Sequence, residues 1–381
     1  MFKELAYYDG KIGTPDEVMI PFNDRSHFFG DGVYDATIGG NHVVYLLEDH
    51  LDRFYTSANY FDIKVPMEKE ELGKLLTDLL KQVEGETHFV YWQVTRGIAP
   101  RDHAYSKDMV GKLWVWIKQS KAGDPKKELK LIVRPDTRFQ HGNAKTLNLL
   151  PAVAGTQEAT LLGADECVLH RDGFVTECCH SNVQILKNGM LISHPDDQFI
   201  LRGIAKTHMI QACRRLGITV MERPFSLEEL YDADEVIVTA SSKMCQHATE
   251  IEGKKVGGKD PETLSRIEKA VIQEYLDYTG SDDDFVLDYA EEYLEYDFQQ
   301  LYGGQWPDTS WEVVDESNAS NRIATMRGYI WNDEMDAYMW TVIYWDTSYN
   351  NAMAKTFFVP EYNGYDKADK MGKKVSSTVG C

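Results

Sequence analysis

Two apolar periodicities alternate along most of the chain. Leu51, Phe54, Tyr55 and Ala58 recur at helical spacing within Glu48–Ala58, and Leu72, Leu75, Leu76, Leu79 and Val83 do so within Glu68–Val83. Both patterns predict helices with one face turned to a core. His88–Thr95 and Lys112–Lys118 are aromatic and β-branched, which predicts strands. Asp9-Gly10 and Gly39-Gly40-Asn41 supply turns between short β-rich runs. Residues 1–120 therefore read as an N-terminal α/β domain.

Residues 121–128 are polar, contain Gly123 and Pro125, and read as a hinge into a second domain spanning 121–280. There, Leu129–Val133 predicts a strand, Glu166–His170 opens a hairpin that turns at Asp172-Gly173, and Asn188-Gly189 turns another. Helices are expected from about Ile204, over Ser226–Tyr231, and from Pro261 to Tyr278. The last turns Leu264, Ile267, Val271 and Tyr275 inward and stops at Gly280. Glu235–Thr239 reads as a buried strand. Leu147, Leu150 and Val153, with Pro151 in a first turn and Gly163 as a stop, predict a further helix that places Lys145 just ahead of its start.

The pattern changes at Ser281-Asp282-Asp283-Asp284, an acidic run with the character of an exposed linker. Beyond it a helix is expected over Phe285–Tyr302, stopped by Gly303-Gly304. Strands follow at Arg322–Trp331, Ala337–Trp345 and Lys355–Val359, with a turn at Asn332-Asp333-Glu334. Residues 281–381 thus predict a small, acidic α+β extension whose many Trp and Tyr fill a core or offer a docking surface.

Composition narrows the function classes. The 381 residues carry a formal net charge of −21, which argues against nucleic-acid partners, since phosphate-backbone affinity comes from clustered Lys and Arg. No apolar run reaches the length of a membrane span, and Met1-Phe2-Lys3-Glu4 lacks a signal-peptide core, so a cytoplasmic protein is expected. The six cysteines show no Cys-x-x-Cys pair and read as reduced thiols. Cys178-Cys179-His180 is not read as a metal site, because adjacent residues cannot all reach one ion.

Candidate chemistry centres on Lys145, in His141-Gly142-Asn143-Ala144-Lys145. Four other stretches accompany it: Phe29-Gly30-Asp31-Gly32-Val33-Tyr34 with Arg53; Thr95-Arg96-Gly97-Ile98-Ala99-Pro100-Arg101-Asp102-His103; Val175-Thr176-Glu177-Cys178-Cys179-His180-Ser181-Asn182; and Ile200-Leu201-Arg202-Gly203-Ile204-Ala205 with Thr239-Ala240-Ser241-Ser242. In order and spacing, from about residue 2 to 279, they resemble the class IV, fold-type IV aminotransferases, and most of all the D-amino acid branch, the D-alanine transaminases.

That resemblance implies a two-domain fold-type IV enzyme using pyridoxal 5'-phosphate. Lys145 would bind the cofactor covalently and act as the catalytic base, and Glu177 would keep the pyridine nitrogen protonated. Arg53, Ser241 and the backbone of Ile204 and Ala205 would hold the phosphate, with Leu201 beneath the ring. Relatives often have Thr where this chain has Ala205, so weaker phosphate binding is expected. Tyr34, Arg101 and His103 would trap the substrate carboxylate, the Arg-x-His pair coming from the neighbouring subunit of a homodimer. The implied reaction is D-alanine plus 2-oxoglutarate to pyruvate plus D-glutamate. Cys178-Cys179-His180 departs from the Gly-Ser-Ser of many relatives, which suggests altered substrate shape or sensitivity to oxidation. Branched-chain L-amino acid aminotransferase and aminodeoxychorismate lyase are rivals within the fold, against which Arg101-Asp102-His103 counts. A scaffold working through the extension is the rival outside it, against which intact Lys145 and Glu177 count.

Overall fold

Val90, Trp92 and Val94 are fully buried along Thr87–Thr95, the central strand of the first sheet. The computed structural model describes residues 1–120, 127–281, 311–315, 323–332, 337–346 and 351–359. The first sheet contains β1 (Glu4–Tyr8), β2 (Lys11–Gly13), β3 (Gly32–Gly40), β4 (Val43–Val44), β5 (Thr87–Thr95) and β6 (Lys112–Gln119). They pair antiparallel in the order β2-β1-β6-β5-β3-β4. The short α1 (Arg25–Phe29) leads into β3, while α2 (Leu47–Tyr60) and α3 (Lys69–Leu80) cover the sheet. Leu51, Phe54 and Ala58 from α2 and Leu72, Leu76 and Leu79 from α3 pack against Val90, Trp92 and Val115. Each large side chain so buried contributes roughly 1.5–3 kcal/mol. The capping box of Glu68 and Glu71 starts α3, and Val83 lies past its end.

The second sheet is mixed. Its strands are β7 (Leu129–Pro135), β8 (Glu166–Arg171), β9 (Phe174–Cys178), β10 (Asn182–Lys187), β11 (Met190–Ser193), β12 (Thr219–Glu222), β13 (Glu235–Ala240), β14 (Met244–Ile251) and β15 (Lys254–Lys255). They run in the order β12-β11-β10-β13-β14-β7-β8-β9, with β15 on β14. Asn188 and Gly189, at φ 51° and 70°, give the β10–β11 hairpin the left-handed pair of residues that matches strand twist. The expected hinge falls mostly on residues 121–126, outside the described residues.

The helices here are α4 (Leu150–Leu161), α5 (Ile204–Arg215), α6 (Leu227–Tyr231) and α7 (Pro261–Thr279). A Ser226–Glu229 capping box starts α6, and Gly280 in the left-handed conformation ends α7. One expectation needs correction. Leu147 is outside α4, and Leu150 and Val153 are 79% and 58% exposed, while Ala152 and Ala159 are the buried residues. The apolar spacing therefore marks the outward face of α4, and Lys145 lies five residues before the helix in irregular backbone.

Met1–Ser281 forms one compact unit and Asp282–Cys381 another. In the second, β16 (Trp311–Asp315), β17 (Ile323–Asn332), β18 (Ala337–Asp346) and β19 (Asn351–Val359) form a four-stranded antiparallel sheet. The strand β16 had no counterpart in the sequence reading. The expected helix Phe285–Tyr302 and most of the turn at Asn332-Asp333-Glu334 lie outside the described residues.

Candidate active site

Lys145 is held through its backbone rather than by a helix. The Tyr34 amide donates to its carbonyl at 2.9 Å, its own amide donates to Ser57 Oγ at 3.1 Å, and Thr146 bridges Val33. A strand of the first sheet and a helix beneath it thus fix the backbone from which the side chain projects. The Lys145 Nζ sits 4.3 Å from the centre of the Tyr34 ring, which stacks on Tyr91. Both face a cleft of about 260 Å3. Arg53, Glu177, Leu201, Ile204, Ala205 and Ser241 line the same cleft.

Glu177, at the end of β9, is buried. Its carboxylate accepts from three directions: Arg138 Nη1 at Oε1, and Asn182 Nδ2 at 2.8 Å and the Leu201 amide at 3.0 Å at Oε2. Burial pushes its pKa up, while Arg138, the Leu201 amide and Lys145 oppose the rise. Arg138 in turn grips Asp136, which also accepts from Arg171 at 3.1 Å. Asn182 does more than hold Glu177. Its Nδ2 also donates to the Leu201 carbonyl at 3.0 Å, and a Cβ at position 203 would run into its Oδ1, so glycine is needed there. The sequence reading assigned no role to Arg138 or Asn182. Asn182 stood in a motif quoted for its glutamate, whereas nothing in the local pattern singles out Arg138.

On the other side of the cleft, Gly203 precedes α5 without any side-chain cap, leaving the first helical amides open to an anion. Arg53 stands beside this end, its Nη1 donating to the Arg202 carbonyl at 3.1 Å. Asp35 fixes the guanidinium, accepting from Nε at 2.9 Å and Nη2 at 2.6 Å. Asp35 is wholly buried; burial alone would raise its pKa, but Arg53 and His50 hold it well below the usual carboxylate range. His50 bridges Asp35, at 2.8 Å from Nδ1, and the Ser241 hydroxyl, at 3.2 Å from Nε2.

Arg101 and His103 are not in the cleft lining. Both are exposed, with Arg101 Cζ 5.5 Å and the His103 ring 5.1 Å from the centre of the Phe29 ring. Arg25 holds this loop by donating to the Asp102 carbonyl at 2.5 Å. The Cys178-Cys179-His180 stretch splits three ways. Burial pushes the Cys178 thiol up in pKa, and Cys179 is packed so closely against α4 that a Cβ on Gly155 would lie 2.6 Å from its sulfur. His180, half exposed on the cleft wall, pairs at 2.5 Å with the buried Glu166, which also accepts from Ser181 at 2.8 Å.

An amine, a buried carboxylate and an uncapped helix start flanked by an arginine therefore share one cleft. These suit, respectively, a carbonyl carbon, a cationic ring nitrogen and a phosphate. Over most of its length the chain is similar to known proteins. The amino-transferase class IV family matches residues 32–251. A D-alanine aminotransferase of Listeria monocytogenes is 33% identical over 275 residues, covering 70% of this chain and 94% of the relative. Another, from Bacillus licheniformis, is 31% identical over 268 residues, covering 70% and 95%. Among solved structures, the branched-chain aminotransferase of Thermoproteus uzoniensis with norvaline superposes with TM-score 0.65 at 24% identity, covering 72% of this chain and 97% of that one. The branched-chain aminotransferase of Escherichia coli gives TM-score 0.66 at 20% identity, covering 74% and 96%. The similarity in sequence and in fold over nearly the whole length of these relatives has one meaning: this chain belongs to the class IV aminotransferases, with the fold-type IV architecture.

Proposed function

We propose that the protein transaminates D-amino acids, taking D-alanine and 2-oxoglutarate to pyruvate and D-glutamate. The cofactor of the family is pyridoxal 5'-phosphate, which when bound supplies a carbonyl for the substrate nitrogen and a cationic ring that draws off electrons. The observation that carries the assignment is the convergence of Lys145, Glu177, Arg53 and the start of α5 on one cleft.

In this reading Lys145 attaches the cofactor, and its Nζ then moves the proton at the substrate α-carbon. Glu177, whose carboxylate accepts from Arg138, Asn182 and the Leu201 amide, faces the ring nitrogen and keeps the proton there. Arg53 and the amides of Ile204 and Ala205 bind the phosphate together with Ser241, and Leu201 supports the ring. Tyr34 lies over the Lys145 amine, at the place where the substrate carboxylate would enter.

The preference for D-amino acids rests on Arg101-Asp102-His103 and on the curated relatives being D-alanine aminotransferases. Because Arg101 and His103 are exposed and outside the cleft lining of their own chain, the reading includes a homodimer in which each copy completes the other's site. The exposed Phe22, at 85%, and Leu150 and Leu161, at 79% and 76%, supply apolar surface for such pairing. The branched-chain alternative draws on fold neighbours at or below 24% identity, a range that carries fold and not substrate.

Borohydride fixation of bound pyridoxal phosphate followed by peptide mapping tests the core of this reading. The label is expected on Lys145. A label on another lysine would overturn the assignment.

A further inference from the structure

We propose that His50 is a positioning residue for the cofactor phosphate, turning the Ser241 hydroxyl toward it by taking up a proton from solvent when the phosphate binds. The inference rests on the reading of Arg53, Ser241 and the start of α5 as the phosphate cup.

The argument begins at Asp35. Its ionised carboxylate has no hydrogen to donate, and it accepts from Arg53 through both oxygens. The contact of 2.8 Å with His50 Nδ1 therefore needs the hydrogen on Nδ1. In a neutral imidazole so arranged, Nε2 carries a lone pair. Ser241 Oγ lies 3.2 Å from that nitrogen, and the bond forms only with the hydroxyl as donor. Ser241 then presents nothing but lone pairs to the cleft, the wrong face for a phosphate dianion.

Protonation of Nε2 reverses the bond. The nitrogen donates to Oγ, and the hydroxyl hydrogen becomes free to donate to a phosphate oxygen. No bond to carbon or phosphorus changes; one proton moves from solvent to the ring. The groups facing His50 set the balance. Asp35 comes from β3, Arg53 from α2, Lys145 from the segment before α4, Ser241 from the end of β13, and the Trp92 ring from β5, 6.3 Å between centres. Burial first, then Arg53 and Lys145, push the imidazole below its ordinary value against the pull of Asp35. A dianion arriving beside Ser241 and Arg53 tips that balance back. The hydroxyl matters here because Ala205 offers no side-chain donor.

Calorimetry of inorganic phosphate binding to the full chain stripped of cofactor, in two buffers of different ionisation enthalpy, counts the protons. At about pH 7.5, and after correction for the ionisation of phosphate itself, the parent is expected to take up about half a proton or more per phosphate bound. His50→Gln should lose this uptake and bind phosphate about tenfold more weakly. Ser241→Ala, which removes one half-buried hydroxyl, should also lose the uptake, and it keeps the test decisive if His50→Gln fails to fold. No uptake in the parent, or equal uptake in parent and variants, would overturn the proposal. So would binding of pyridoxal phosphate without any binding of inorganic phosphate. A parent that bound neither would instead overturn the cofactor-site reading beneath it.

Discussion

Arg138 is ion-paired with the buried carboxylate of Glu177 while it grips Asp136 through Nε and Nη2, both at 3.0 Å. One guanidinium thus compensates two carboxylates that are nearly or wholly shielded from water. Removing one partner of a buried pair leaves an uncompensated charge and costs about 3–5 kcal/mol. Arg138→Met is therefore expected to lower unfolding stability by an amount in that range and to drive Glu177 toward its neutral form. Urea denaturation of the parent and variant checks the first effect. A loss under about 1 kcal/mol would show the pair to be peripheral.

Glu177→Gln is commonly regarded as a change of charge without a change of shape, but the surroundings predict more. Three donors, from Arg138, Asn182 and Leu201, converge on the carboxylate. A glutamine has one acceptor oxygen, so its NH2 must face at least one of them, at a cost of about 1–3 kcal/mol. The variant should fold with reduced stability and retain bound cofactor, and turnover should fall by orders of magnitude. Unchanged thermal stability together with full turnover would show that Glu177 does not serve the ring nitrogen.

Acid should unfold the protein through a small set of buried carboxylates. Asp35, Asp136 and Glu166 are all held below their ordinary pKa, against burial, by Arg53 and His50, by Arg138, and by His180 respectively. A depressed carboxylate contributes stability that is present above its unfolded value, about 4, and is lost as pH falls toward the folded value. Glu177 has the opposite shift, raised by burial, so its protonation offsets part of the loss. The melting temperature is expected to fall steeply below about pH 4. A flat profile between pH 5 and 3 would contradict the assigned pairs.

The readable parts of the chain are those in which one local pattern decides the outcome. The α2, α3 and α7 helices followed from their apolar spacing, and the Asn188-Gly189 hairpin from residues that favour its left-handed backbone. Lys145, Glu177 and Arg53 were singled out by motif order, and all three line one cleft. Their partners were not, because those contacts cross the chain. Arg138 meets Glu177 over 39 residues, and His50 meets Ser241 over 191. His50 and Asp35 lie close to Arg53 and Tyr34 along the chain, with no local sign of their bond. In α4 the periodicity was real, but apolar spacing does not say which face is outward, and Leu150 is 79% exposed.

The proposed homodimer predicts complementation. Arg101→Ala should raise KM for D-alanine and lower kcat/KM by a few kcal/mol, the size of a charge-assisted hydrogen bond. Lys145→Ala should be inactive. In a mixture refolded or exchanged together, one hybrid site combines an intact Lys145 with an intact Arg101, so activity should reappear. A mixture no more active than the sum of its parts would show that Arg101 does not act across subunits.

The most direct test of the central claim is a single turnover without any 2-oxo acid acceptor. The holoenzyme mixed with excess D-alanine should release about one pyruvate per chain and then stop, because transamination consumes the bound cofactor's carbonyl once. L-leucine under the same conditions should release little of its oxo acid. Rapid release from L-leucine with none from D-alanine would contradict the D-amino acid reading, and continuous pyruvate production without an acceptor would contradict transamination itself.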